Sequence, residues 1–387
     1  MKHRATDWRR ASCKRPLSLA GCPAGAPVPR GGVPCPKLKP VYQASIKARL
    51  LCRLGAALLL LRLSAEFSTA LAQGSLTPPG APAPTMKSLD QIEPRTPITS
   101  VPFTIASPGS YYVTTNLTGA SGLSGVTISN NNVTLDLNGF ALLGVPGSLY
   151  AVALANSQTN VIVRNGTMSG WRMGVHETSG NSRNLVLDGL AIFGSATDGI
   201  LLDSAATVRN CVCSSNAAIG ISVTGGELTD CTAAYNVNSG IELNAGGIVR
   251  GCWSGYNGNY GIEVSSGIVS GCWAQNNAWS GIQVPGQGSA VIGNTCLDNN
   301  TSASASYAGI QLESSGNRIE GNTVSGSGHA GISVDTLYTG NIIIKNSVSG
   351  NGANNYSFNS SQVVGPLITN TVSGIITNLN PWANLSF

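Results

Sequence analysis

A glycine followed by isoleucine or valine recurs along this chain, at Gly125, Gly174, Gly199, Gly220, Gly240, Gly261, Gly281, Gly309 and Gly331. Through the middle the steps are near 20 to 22 residues, and self-similarity at such a period marks a solenoid, whose units bury apolar surface only by stacking on their neighbours. A leucine-rich repeat and a parallel β-helix both fit the period. Apolar spacing inside the unit separates them. Ile200 with Leu202, Ile221 with Val223, Ile241 with Leu243, Ile262 with Val264, Ile282 with Val284, Ile310 with Leu312 and Ile332 with Val334 alternate with period two, as strands do. A second short apolar segment follows, at Val208, Leu228, Ile248, Ile268, Val291 and Ile319, with no helical stripe and no LxxLxLxxN block. The pattern predicts an all-β, single-stranded parallel β-helix of roughly ten coils, each ~4.8 Å from the next.

Composition agrees, because 48 glycines and only 10% charged residues suit short strands and tight turns better than long helices. The net charge of +5 is misleading until it is divided along the chain. Residues 1–72 hold 13 Lys and Arg against Asp7 and Glu66, whereas residues 73–387 hold 9 against 15 Asp and Glu. The positive charge is all leader, and the acidic remainder lacks the electrostatic footprint of a nucleic-acid binder. Lys47, Arg49 and Arg53 precede the apolar run 54–61, and Ala70, Leu71 and Ala72 give the small-x-small pattern of a signal peptide cleaved near Ala72. The run is too short to span a bilayer, so no membrane insertion of the mature chain is expected. Residues 1–40 read as lying upstream of the true start. Residues 73–100 form a Pro-rich linker, and residues 101–387 the β-helix with its caps. The expected location is secreted, periplasmic or cell-surface.

Six cysteines follow the leader. Cys211, Cys231, Cys252 and Cys272 each stand nine residues before a repeat glycine, and Thr295, Thr323 and Ser347 are expected to continue that row. Stacked parallel residues point their Cβ atoms the same way, which favours buried free thiols over a disulfide; bridges between coils stay open. No CxxC pairs with histidine, so a zinc site has no support. Asn216, Asn236, Asn257 and Asn277 stand four residues before a repeat glycine and predict an asparagine ladder at one turn.

The GIxV/L units, "RIEGNTVSGSGHAGISV" (318–334) and "GVTISNNNVTLDLNGF" (125–140) resemble the right-handed parallel β-helix repeat proteins of the pectate-lyase-like superfamily. "DQIEPRTPITSVPFTIASPGSYYVTTNLTG" and the ending "NPWANLSF" resemble the ends of a largely uncharacterised secreted bacterial type. The likeness covers about residues 86–387. It implies the fold and its right hand, whereas function must be argued from a site. Pectate lyases carry clustered calcium-binding carboxylates with a basic residue, and polygalacturonases carry NTD, DD, GHG and RIK motifs. None of these sets occurs here, and His176 and His329, the histidines after the leader, stand beside no such motif.

Three constellations remain. The residues between the paired apolar positions, Leu201, Ser222, Glu242, Glu263, Gln283, Gln311 and Ser333, face outward by alternation. Glu242 and Glu263 should therefore be stacked neighbours, with one pKa raised and a spacing that suits a retaining glycosidase; a solvated row is the plainer alternative. Trp253 and Trp273 follow stacked cysteines, and Tyr235 and Tyr256 form another matched row. Trp253, Trp273 and Tyr256 are candidate sugar-stacking residues, with groove packing as the alternative. Positions equivalent to the tryptophans are read as Val212, Thr232, Cys296 and Val324. No cofactor is evident; calcium stays open through Asp188, Asp198, Asp203 and Asp230, although turn chemistry accounts for scattered aspartates.

These readings describe an exported β-helix protein that binds polysaccharide or another extended surface ligand along its outer face. If it is an enzyme, it is a polysaccharide lyase, epimerase or glycosidase. The competing reading is a non-catalytic structural or adhesive rod at the cell surface. An insertion at residues 299–307 separates them, since a wall beside the outer face favours a site.

Overall fold

The computed structural model describes residues 94–155, 157–369 and 380–387, which belong to one compact unit, residues 84–387. The leader, the proposed cleavage site and residues 73–93 of the Pro-rich segment lie outside the described residues. Every helix or strand among the described residues is a strand, and all pairings are parallel. The chain winds through three sheets per coil. In one coil residues 241–243 lie in the first sheet, 247–250 in the second and Trp253–Gly255 in the third. First-sheet pairing passes from Phe103–Ile105 to Asn354–Ser357 through twelve strands. There are thus about twelve coils, two more than the sequence pattern predicts, because three first-sheet strands, Phe103–Ile105, Tyr150–Leu154 and Asn354–Ser357, lack the glycine–Ile/Val signature. Pairing begins at Thr96–Ile98, which joins residues 111–113, inside the segment read as linker.

The glycine of each repeat has a steric cause. A Cβ on Gly220 would stand 2.6 Å from the Gly240 carbonyl oxygen and 2.7 Å from the Asn236 Nδ2, and one on Gly261 would stand 2.6 Å from both the Gly281 oxygen and the Asn277 Nδ2. Only glycine lets adjacent coils and the asparagine ladder pack there. The ladder itself is continuous: Asn216 Nδ2 donates to Asn236 Oδ1 (3.0 Å), Asn236 to Asn257 (3.0 Å), Asn257 to Asn277 (2.9 Å) and Asn277 to Asn299 (2.9 Å). All five asparagines are buried, so their mutual bonds satisfy amides that would be costly to leave unpaired.

The inward rows of Ile, Val and Leu form one apolar core along the axis. The six cysteines are free and buried, and burial pushes the Cys213 and Cys296 thiols up. Cys231, Cys252 and Cys272 Sγ atoms lie 3.3–3.6 Å from carbonyl oxygens at the turn between the second and third sheets. Their row is not continued by Thr295, Thr323 and Ser347, which pair in the row of Trp273. Asparagine continues it instead: Asn294 Oδ1 accepts from the Cys272 N–H (2.8 Å), and Asn294, Asn322, Asn346 and Asn384 bond in series. The same one-residue shift moves the tryptophan equivalents from Cys296 and Val324 to Thr295 and Thr323. Cys296 and Val324 point inward and are fully buried.

Candidate functional site

The outward row of the first sheet pairs in register as His176, Leu201, Ser222, Glu242, Glu263, Gln283, Gln311 and Ser333. Glu242 and Glu263 are therefore neighbours one rung apart, ~4.8 Å along the axis. Both are half-buried. Burial raises the Glu263 carboxyl first, the nearby carboxylates of Glu242 and Glu313 add to it, and the pKa is pushed up to about 7. Burial also raises Glu242, with Asp198 adding and a hydrogen bond with Ser239 opposing. Near neutral pH the pair thus holds one proton more readily than two isolated carboxylates would.

Aromatic rings stand beside the acids. Trp279 and Tyr307 stack with centroids 4.8 Å apart and planes 12° apart, and Tyr260 meets them edge-on at 5.0 and 6.0 Å. Burial raises the Tyr260 phenol, and the charges of Glu313, Glu263 and Glu242 reinforce the shift, which puts this ring within electrostatic reach of all three acids. Tyr307 closes the inserted turn at 299–307. Asn300 organises that turn from a fully buried position with φ +52°, its Nδ2 donating to the carbonyls of Ser304 (2.8 Å) and Tyr307 (2.9 Å) and its Oδ1 accepting from the Ser302 hydroxyl (3.0 Å) and the Ser304 N–H (3.0 Å). The insertion walls a cavity of about 390 Å³ whose lining includes Ala305, Ser306, Gln311, Glu313, Ser333 and Asp335. The wall, the rings and the acid row thus gather on one face of the first sheet, hereafter the first-sheet groove.

Farther along the row, His176 stacks on Tyr150 with centroids 4.2 Å apart and planes 8° apart. Burial lowers its pKa, while Asp203 opposes the shift. Its sequence signal was the unit "GVHE", in which it occupies the slot that Glu242 and Glu263 occupy in later units. Tyr260, Trp279 and Tyr307 were not singled out, because they lie in turns at unequal spacing; the readable signal is an aromatic one or two residues before a repeat glycine.

Trp253, Trp273 and Tyr256 belong elsewhere. Trp253 pairs with Trp273 in the third sheet, and Tyr256 ends that sheet's strand, stacking on Tyr235 at 4.9 Å and 8°. They do not join Glu242 and Glu263. Among the described residues no group of three or more His, Cys, Asp and Glu side chains is placed to hold a metal ion. Asp188 accepts from Arg209 (2.9 Å) and Asn210 (3.0 Å), and Asp198 from the Ile219 N–H (2.9 Å).

Residues 225–378 match the family model described as the right handed beta helix region. The chain carries a right-handed parallel β-helix. No curated protein matches it. Among solved structures it is similar to the A-module of the Azotobacter vinelandii mannuronan C-5 epimerase AlgE4, with 13% identity over 72% of this chain and 86% of that one and a TM-score of 0.50. A mutant of the periplasmic alginate epimerase AlgG is similar at 12% identity over 72% and 74% of the two chains, also with a TM-score of 0.50. At such identities the likeness is one of fold alone. No helix among the described residues is long and apolar enough to cross a membrane.

Proposed function

We propose that this protein is exported and binds a polysaccharide along the groove of the first sheet, with Trp279, Tyr307 and Tyr260 packing on sugar rings and the acid row accepting their hydroxyl hydrogens. The observation that carries this reading is the coincidence of the Glu242–Glu263 pair with the aromatic trio and the inserted wall on one face. Sugar rings present apolar faces and a rim of hydroxyls, and such a face offers surfaces for both. The names of the two similar structures, which refer to mannuronan and alginate, agree with a polysaccharide ligand at the level of the fold.

The stacking of two raised carboxyls favours a second, catalytic reading. Two acids a rung apart, one with its pKa pushed up to about 7, resemble the acid and nucleophile of a retaining glycosidase. Glu263 would give its proton to the glycosidic oxygen as the Glu242 carboxylate bonds to the anomeric carbon. Water, deprotonated by Glu263, would then release the sugar from Glu242. The test is a polysaccharide panel scored for binding and for product, repeated with Glu242→Gln and Glu263→Gln. Catalysis predicts product from the wild type and a loss of at least ~100-fold in each variant. If a polymer is cleaved and both variants keep full activity, the carboxylate pair is not the catalytic site; if polymers bind without product, binding is the function.

A further inference from the structure

The formal charges along this face of the first sheet are negative: Glu242 and Glu263 stand in its outward row, and Glu313 and Asp335 line the cavity beside the inserted turn. Gln311 Nε2 is already engaged by Glu313 Oε1 at 3.2 Å. Gln283, between Glu263 and Gln311 in the row, is 1% exposed, and its Oε1 has no hydrogen-bond partner. An acceptor held out of water without a donor costs free energy that a donor on a ligand would recover. No Lys or Arg offsets the acids: between residues 198 and 340 these are Arg209, Arg250 and Arg318, all in second-sheet strands, and the one histidine, His329, stands a rung beyond Tyr307. Two of the three are committed, Arg209 to Asp188 and Arg318 to Glu320.

A polyuronate laid in this groove would bring a carboxylate on each sugar against a row of carboxylates, with no Lys or Arg to receive it. Resting on the polysaccharide reading above, we infer that the groove selects a polymer of amino sugars carrying free ammonium groups, in which each cationic nitrogen donates to the Glu242–Glu263–Gln283 row and to Glu313 while the rings pack on Trp279 and Tyr307. Ammonium groups supply the positive charge that the acids face no Lys or Arg to provide, together with donors for their oxygens, and the aromatic trio adds cation–π attraction.

The test uses the full chain with four oligosaccharides of equal length: β-1,4-linked glucosamine with free amines, its fully N-acetylated counterpart, a neutral β-1,4-glucan and a mannuronate oligomer. Calorimetry should show the free amine binding about tenfold or more tighter than the N-acetylated form and the mannuronate weakest. The advantage should shrink between about 0.1 M and about 1 M salt, as the Debye length falls from ~10 to ~3 Å. Glu313→Gln, checked for unaltered thermal unfolding, should cut amine affinity several-fold more than it cuts affinity for the neutral glucan. Equal binding of amine and N-acetylated forms, or tighter binding of mannuronate, overturns the inference and leaves the polysaccharide reading standing. If none of the four binds, that reading falls and takes the inference with it.

Discussion

The first and third sheets both present aromatic side chains, yet they hold them differently. On the first sheet Tyr260, Trp279 and Tyr307 are half-buried, packed on one another and set against raised carboxyls. On the third sheet Tyr235, Tyr256 and Trp273 are 58%, 42% and 46% exposed, and residues 212–215, 232–237, 253–258 and 273–277 contain no charged side chain. One face has confined its rings around titratable groups, at a cost in native stability. The other displays rings with nothing to titrate. Confinement beside raised carboxyls is what the proposed binding groove would need, whereas exposed rings in register can follow from stacking alone.

Breaking the scaffold common to both faces should give the largest effect. Gly261 lies between Tyr260 and the first-sheet strand, and a methyl there meets the Gly281 oxygen and the Asn277 amide. Gly261→Ala should destabilise the protein by about 3 kcal/mol in urea unfolding, with both faces affected together. A loss under about 1 kcal/mol would mean that the coils are looser than their spacing indicates. The next largest effect should separate the faces. Trp279→Ala should weaken binding of the best polysaccharide about 30-fold, near 2 kcal/mol, while Trp273→Ala changes it less than about threefold. The reverse order, read by calorimetry, would move the ligand to the third sheet.

Acidity sharpens the same contrast at a smaller scale. The folded-state pKa of Glu263, about 7, exceeds its ordinary value of 4.5, so the native state holds this proton more tightly than the unfolded chain does. The resulting stabilisation is complete below pH 4.5 and is lost as pH rises to about 7. Because Glu263 keeps a sizeable exposed fraction, solvent screening reduces the difference to about 1 kcal/mol. Between pH 4.5 and 7.5 the wild type should lose that much stability relative to Glu263→Gln, measured as the difference between their unfolding midpoints. Parallel curves for the two proteins would show that the pair is relaxed by solvent.

The scaffold was legible in the sequence because it repeats. Glycine, the inward Ile and Val, and the asparagine ladder all answer to contact with the next coil, so their spacing had to be regular; the pairing of Glu242 with Glu263 followed from the same register. Reading failed where the coil length changed. Between Cys272 and Asn294 the step is longer, and assigning Thr295 to the cysteine row slipped the strand by one residue, which exchanges inward and outward side chains. The aromatic half of the groove was missed because turns accept insertions, and neither Tyr260 to Trp279 nor Trp279 to Tyr307 keeps the repeat length. Periodicity reports what touches the neighbouring coil, and a groove wall touches mainly ligand and solvent.

The smallest expected effect concerns the exposed tyrosines. Tyr235 and Tyr256 have φ of +56° and +57°, in a row whose other members, Ser215, Asn276 and Asp298, are also left-handed. Each donates its N–H to the carbonyl just ahead of the next member, apart from Asp298, which donates to Ser325. A bulky side chain in that conformation costs roughly 1–2 kcal/mol, and asparagine tolerates it better. Stacking between Tyr235 and Tyr256, and the tilted contact of Tyr256 with Trp253 at 6.3 Å, return about 0.5–1.5 kcal/mol. Tyr256→Asn should therefore change stability by less than about 1 kcal/mol in either direction, since strain relief and lost stacking nearly cancel. The midpoint of urea unfolding measures it. A loss above about 2 kcal/mol would make the tyrosine pair a staple between coils and the third sheet a structural face, whereas a gain with unchanged polysaccharide binding would leave these rings idle in the groove's chemistry.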